Sequence, residues 1–164
     1  MSGTLGEKYT DKKNEENKGD YDKALDYHTR SLEVFEELGD KNGIGNSLNN
    51  IGNIYKAKNN LPKAIEYYQN AIAYEPTNST YLNNLGDSYR IKGDLVKAEE
   101  ILLRSLEVDT NGMLTHFNLG ILYKTEGKFN KAIDSFQKSL NINPFYTEAY
   151  FELATTHLKT NNKE

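Results

Sequence analysis

The chain has 164 residues, 37% of them hydrophobic, no cysteine and a net charge of −4. That composition allows one packed domain or a thin-cored solenoid, and without cysteine neither a disulfide framework nor a thiolate metal site is available. Both charge signs are interspersed, which leaves no basic field for nucleic acid and no polybasic stripe for a membrane, and no run is apolar enough for a signal peptide or a membrane span; a cytoplasmic setting is expected.

Residues 1–18 are a polar lead. Lys8, Asp11, Lys12, Glu15 and Glu16 fall where a packed helix would need apolar side chains, which predicts a frayed helix or a disordered segment. From Gly19-Asp20-Tyr21 the pattern sharpens: Ala24, Tyr27, Ser31, Leu32, Val34, Phe35 and Leu38 form an apolar face at helical spacing, closed by Gly39. Residues 45–78 then read Leu48-x-x-Ile51-Gly52-x-x-Tyr55, Ala64-x-x-x-Tyr68, Ala71 and Pro76, two helical patterns separated by Asn59-Asn60.

The same order returns twice. Residues 79–112 carry Leu82, Leu85, Gly86, Tyr89, Ala98, Leu102 and Ser105, and residues 113–146 carry His116, Leu119, Gly120, Tyr123, Ala132, Phe136, Ser139 and Pro144. Residues 147–160 supply Tyr150, Leu153, Ala154 and His157, an opening helix with no second helix after it. Subtracting neighbours along Ala24, Ala64, Ala98 and Ala132 gives intervals of 40, 34 and 34, with the six extra residues around Leu38 to Gly43. Asn59, Gly93, Gly127 and Asn161 recur at one register, where a turn needs the left-handed conformation, and Asp20, Asn60 and Asp94 stand where the next helix needs a cap, with Lys128 the exception. Pro62 falls in a first helical turn, and Pro76 and Pro144 lie just past helix ends.

In order and spacing these residues resemble the tetratricopeptide repeat family, whose pattern is W-x-x-L-G-x-x-Y, then A-x-x-x-F, then P. The resemblance implies an all-α fold, an antiparallel helix-pair solenoid wound as a right-handed superhelix. It divides the chain into a polar lead (1–18), an array (19–160) and a polar tail (161–164). Within the array a degenerate repeat at about 5–44 precedes full repeats at 45–78, 79–112 and 113–146 and the half repeat 147–160. Helices of such a pair approach through small residues, so Gly52 with Ala64, Gly86 with Ala98, and Gly120 with Ala132 are the expected contacts.

The resemblance also implies a concave groove lined by the first helix of each repeat, which binds a protein or an extended peptide. Carried over residue by residue, the groove comprises Asn46, Asn49, Asn50, Asn53 and Lys56; then Thr80, Asn83, Asn84, Asp87 and Arg90; then Leu114, Phe117, Asn118, Ile121 and Lys124; and finally Phe151, Glu152, Thr155 and Leu158. Asn50, Asn84 and Asn118 precede the Leu/Ile-Gly pair in three successive repeats. Their amides offer a donor and an acceptor at regular spacing, similar to the asparagine ladder in the repeat region of O-linked N-acetylglucosamine transferase. The alternative is that asparagine is simply common at this position and in this chain. Leu114, Phe117, Ile121, Phe151 and Leu158 make the C-terminal end apolar, suited to a peptide anchor, to packing among themselves, or to a second copy meeting residues 147–160.

The carboxylate clamp of co-chaperone members is not matched: Asn53 fits one place, but Asn49, Phe117 and Ile121 occupy the lysine and arginine positions, and Asp87 adds negative charge. Catalysis and cofactors have no support. His28, His116 and His157 occupy aromatic positions and are expected in the core, and Gly43-Ile44-Gly45 lacks the third glycine of a nucleotide fingerprint. The expectation is a non-catalytic scaffold or adaptor without metal, with a self-associating protein or the regulatory array of a longer signalling enzyme as alternatives.

Overall fold

A computed structural model of the chain describes the backbone of residues 5–161 and the side chains of residues 19–160. Among the described residues are eight α-helices and no strand: α1 (Leu5–Leu38), α2 (Lys41–Ala57), α3 (Leu61–Tyr74), α4 (Ser79–Lys92), α5 (Leu95–Val108), α6 (Met113–Thr125), α7 (Phe129–Ile142) and α8 (Thr147–Asn161). The fold class is all-α with antiparallel helix pairs, as the repeat pattern implies. The chain divides into two compact units, Met1–Glu75 and Pro76–Glu164. Residues 1–4 of the polar lead and residues 162–164 of the tail lie outside the described residues, as do the side chains of Lys8, Asp11, Lys12, Glu15, Glu16 and Asn161.

The helix boundaries reflect local chemistry. Asn60 and Asp94 accept from the amides of Lys63 and Lys97, and Asp40 and Asn78 each accept from two amides of the following turn, which satisfies donors the helix cannot use internally. Lys128 makes no side-chain cap. The turns after α2, α4 and α6 contain Asn59, Gly93 and Gly127 at φ of 57°, 90° and 75°, the left-handed conformation their register predicts. Pro62 occupies the first turn of α3, where its missing amide breaks no helical bond.

Two expectations about the first unit change. Gly19 and Asp20 lie inside one continuous helix, so Asp20 is not a cap and no turn separates residues 5–18 from the remainder of α1. The six extra residues lengthen α1 and α2 by about a turn each, and the link between them is only Gly39-Asp40. Tyr27, Val34 and Leu38, read as core-facing, are 69%, 52% and 72% exposed. At the Tyr27 register Tyr67 and Ile101 are half-buried and Ser135 is buried under their first helices, a cover that no helix among the described residues gives α1. Val34, by contrast, shares its register with Tyr74, Val108 and Ile142, which are 40%, 42% and 39% exposed and face solvent in every repeat.

In the first unit α1 packs on α2 and α2 on α3. Phe35 lies against Gly43, and Ile44, Leu48, Ile51, Ile54, Ala64, Ile65, Tyr68 and Ala71 are buried. In the second unit the pairs are α4 with α5 and α6 with α7, while α8 rests on α7, and α6 neighbours both α4 and α8. Tyr81, Leu82, Leu102, Leu122 and Phe136 are essentially fully buried there, each contributing about 1.5–3 kcal/mol relative to exposure.

The crossings are tighter than a glycine-on-alanine picture. Ala64, Ala98 and Ala132 are each fully buried, but the glycines face the larger residue one turn later. A methyl at Gly52 would meet the Tyr68 ring at 2.7 Å, one at Gly86 would meet Leu102 at 2.7 Å, and one at Gly120 would meet the Phe136 ring at 2.4 Å. Each absent side chain is filled by an aromatic ring or a leucine.

Candidate peptide-binding groove

In the first unit the predicted groove residues sit on α2. Asn49 is buried and Asn50 half-buried. The Asn53 carboxamide oxygen accepts a hydrogen bond of 2.7 Å from the Tyr68 hydroxyl. Asn53 therefore ties α2 to α3 and has part of its bonding capacity committed.

The second unit brings the remaining predicted residues together on the side formed by α4, α6 and α8. Asn118 of α6 donates 3.0 Å to the carboxamide oxygen of Asn83 on α4, and both residues are buried. This bond joins two first helices at successive repeats. Asn118 is thus an internal strut; Asn84, next to Asn83 on α4, is half-buried. One turn along α4, Arg90 donates to Asp87 at 2.7 Å. On the next pair of helices, the Lys124 ammonium reaches Glu152 at 2.6 Å and the Thr155 hydroxyl at 2.5 Å. Side-chain exposures of 13–24% for these four charged residues make each pair more than a solvated surface contact, and each compensates its own charge.

Phe117 lies 4.9 Å edge-on to Tyr146 and 5.7 Å from Phe136, a geometry in which the positive edge of one ring meets the face of another. Burial raises the Tyr146 hydroxyl pKa, with the Glu148 and Asp87 charges acting in the same direction. Tyr146 was not among the predicted groove residues. It stands in the turn before α8, outside the first-helix positions, and its only sequence signal is a second aromatic directly after Phe145. Ile121 is half-buried, while Leu114, Phe151 and Leu158 are 49%, 67% and 65% exposed.

A cleft of about 190 Å³ opens between the start of α4 and the start of α6. Thr80, Asn83, Asn84 and Leu114, four predicted groove positions on two helices, line it together with Met113 and Thr115. A larger cleft of about 410 Å³ lies against Leu106, Thr110, His116, Lys138 and Ile142, and none of the predicted groove residues contributes to it. His116 is buried as expected, with its ring Nε2 3.0 Å from the Thr110 carbonyl. His28 is half-buried, and His157 is exposed, with no second helix over α8 among the described residues. Among the described residues no cluster of side chains is suited to hold a metal ion, and no helix is long and apolar enough to cross a membrane.

A sequence profile of the tetratricopeptide repeat family matches residues 14–74 and 76–144. No curated protein sequence matches. Similar solved structures include the crystal structure of MamA, 22% identical over 98% of this chain and 87% of that one, with a TM-score of 0.71. The first repeat domain of Spaghetti (RPAP3), bound to the HSP90 peptide SRMEEVD, is 19% identical over 71% of this chain and 92% of that one, with a TM-score of 0.67. The Sgt2 repeat domain from Aspergillus fumigatus is 24% identical over 73% and 80%, with a TM-score of 0.69. At these identities the likeness is one of fold.

Proposed function

The chain belongs to the tetratricopeptide repeat family, and from that premise we propose that it is a non-catalytic scaffold that binds an extended peptide segment of a partner protein along the α4–α6–α8 side of its second unit. The observation that carries this reading is the cleft where Thr80, Asn83, Asn84 and Leu114 converge. Hydroxyl and carboxamide groups there serve a peptide backbone as donors and acceptors, and Leu114 offers apolar surface for one side chain. Asn84 is the residue of the asparagine ladder assigned to the ligand, and Asn83 is shared with the strut to Asn118. Phe117, Tyr146 and Ile121 provide an apolar continuation, with Phe151 at its exposed end.

The charge pattern selects among peptides. Arg90 and Lys124 are each already paired with a carboxylate, so the groove has no surplus cation for a free C-terminus. We therefore assign it to internal, uncharged or weakly charged segments. The test is fluorescence anisotropy of the whole chain with a library of labelled extended peptides, each made with a free and an amidated C-terminus. Asn84→Ala and Leu114→Asp are expected to weaken the best peptide at least about tenfold with helicity unchanged, as truncation of an interface anchor does. Unaltered affinity in both variants, or a strict requirement for the free carboxylate, overturns the assignment.

A further inference from the structure

Among the described residues, two helices present a face that their register covers elsewhere. In the pairs α2–α3, α4–α5 and α6–α7, the second helix covers the same face of the first: Leu48, Leu82 and His116 are 7%, 0% and 8% exposed, and Gly52, Gly86 and Gly120 are buried. On α8 that register holds Tyr150, Leu153, Ala154 and His157. There Tyr150 is 51% exposed, and Ala154 and His157 are open to solvent.

Helix α1 is the converse, a helix of second-helix register with no first helix packed on it among the described residues. Ala64, Ala98 and Ala132, and one turn later Tyr68, Leu102 and Phe136, are fully buried under their first helices. Their counterparts on α1, Ala24 and His28, are only half-buried, as is Ser31, which stands where Ala71, Ser105 and Ser139 are enclosed. The α2 side of α1 is already occupied, with Phe35 against Gly43 and Asp22 bonded to Lys58 at 2.7 Å. What remains open on α1 is the face that a first helix would take.

We propose that α1 of one copy docks antiparallel on α8 of a second copy, so that Tyr21, Ala24, His28 and Ser31 cover Tyr150, Leu153, Ala154 and His157 and complete an intermolecular helix pair. The occupant is a second copy because the interface continues one that the chain already builds three times, with both halves present in the same sequence. Size matches by position: Ala154 replaces the crossing glycine, and opposite it His28 replaces the larger Tyr68, Leu102 and Phe136. Lys23 also keeps the register of Lys63, Lys97 and Lys131, which lie 5.0–5.4 Å over the rings of Tyr55, Tyr89 and Tyr123; the ring at that place on α8 is the imidazole of His157. Such a contact is head-to-tail, so each copy keeps one free face and association continues into longer chains or closes into a ring.

The test is the mass of the whole protein by analytical ultracentrifugation from micromolar to millimolar concentration. The wild type is expected to grow beyond a dimer, while Ala154→Arg and Ala24→Arg each remain monomeric with helicity intact. Mixed in equal amounts, the two variants should form a 1:1 complex that grows no further, because each supplies the face the other has lost. Because the chain has no cysteine, mixing an Ala24→Cys copy with an Ala154→Cys copy gives a second readout, a disulfide that forms between the two variants and not between copies of one. A wild type that stays monomeric, an Ala24→Arg variant that associates as the wild type does, or an Ala154→Cys copy that cross-links mainly to itself each overturns the proposal. Asn84→Ala should leave the mass unchanged, so this result and the groove assignment stand or fall separately.

Discussion

The glycine crossings give a prediction whose sign depends only on packing. Gly120 and Gly19 are both interior to helices, so replacing either by alanine gains the same intrinsic helix preference, about 1 kcal/mol. At Gly19 an added methyl meets nothing within 4 Å, and the gain stands alone. At Gly120 the methyl would lie 2.4, 2.6 and 2.9 Å from three carbons of the Phe136 ring, whereas carbon atoms rest about 3.5–4.0 Å apart. The ring must retreat by about 1 Å, and it is fully buried with Phe117 at 5.7 Å. Overpacking of that kind costs about 1–3 kcal/mol, which cancels or exceeds the helix gain. Urea unfolding followed by circular dichroism should therefore separate Gly120→Ala from Gly19→Ala by about 1–3 kcal/mol, with Gly19→Ala the more stable. In a Phe136→Ala background the penalty at Gly120 should vanish, since the obstructing ring is gone. Equal shifts for the two alanine variants, or an undiminished penalty in the Phe136→Ala background, would refute the clash as the cause.

Three further outcomes are expected from the second unit. Ser139 Oγ is buried with no hydrogen-bond partner, while Ser105 Oγ at the same register donates to the Ser79 carbonyl at 2.9 Å. Ser139→Ala should accordingly stabilise the protein by up to about 1 kcal/mol and Ser105→Ala should destabilise it by a similar amount, read from urea midpoints. Replacing Asn83 alone by leucine strands the buried Asn118 amide and should cost about 1–3 kcal/mol; adding Asn118→Leu should recover part of it, and additive losses in that cycle would sink the strut assignment. Tyr123 is 8% exposed and donates to Glu99 at 2.8 Å; desolvation first, then that hydrogen bond, raises its pKa to about 12 from the ordinary 10.0. A raised folded-state pKa means that this contribution to stability is complete below pH 10 and is lost as pH rises toward 12. Thermal midpoints should fall more steeply over that window for the wild type than for Tyr123→Phe.

The parts of the fold legible in the sequence are those fixed by local chemistry. Asn59, Gly93 and Gly127 need no knowledge of tertiary contacts to mark turns, because only such residues reach positive φ at low cost. Asn60 and Asp94 mark helix starts for a similarly local reason. Gly19-Asp20 carries the same local signal and fails, because a helix stops only when something outcompetes its continuation. At the other registers the chain turns back and buries an apolar first helix against the second. Residues 5–18 carry too few apolar side chains for that reward, so nothing opposes the continuation of α1 through Gly19. The exposure of Tyr27 is the same fact seen from the other side.

The helix that carries each residue of the proposed groove is legible in the sequence, and which polar groups stay available is not. A repeating asparagine gives the position, but whether its amide meets ligand or protein depends on what stands opposite in three dimensions. Asn118 obeys the spacing rule of the ladder, yet Asn83 of the preceding repeat lies opposite it and engages it at 3.0 Å. Asn53 is likewise engaged by Tyr68. A solenoid aligns equivalent residues of successive repeats side by side, and side chains so aligned bond to one another as readily as to a peptide. Ligand capacity is then concentrated where the alignment is broken, at a position whose neighbour in the next repeat has changed type. Thr80 beside Leu114 and Asp87 beside Ile121 are two such breaks, and the first of them lines the cleft with Asn84. For the proposed groove, departures from the repeat, more than the repeat itself, are therefore the positions at which a partner would be recognised.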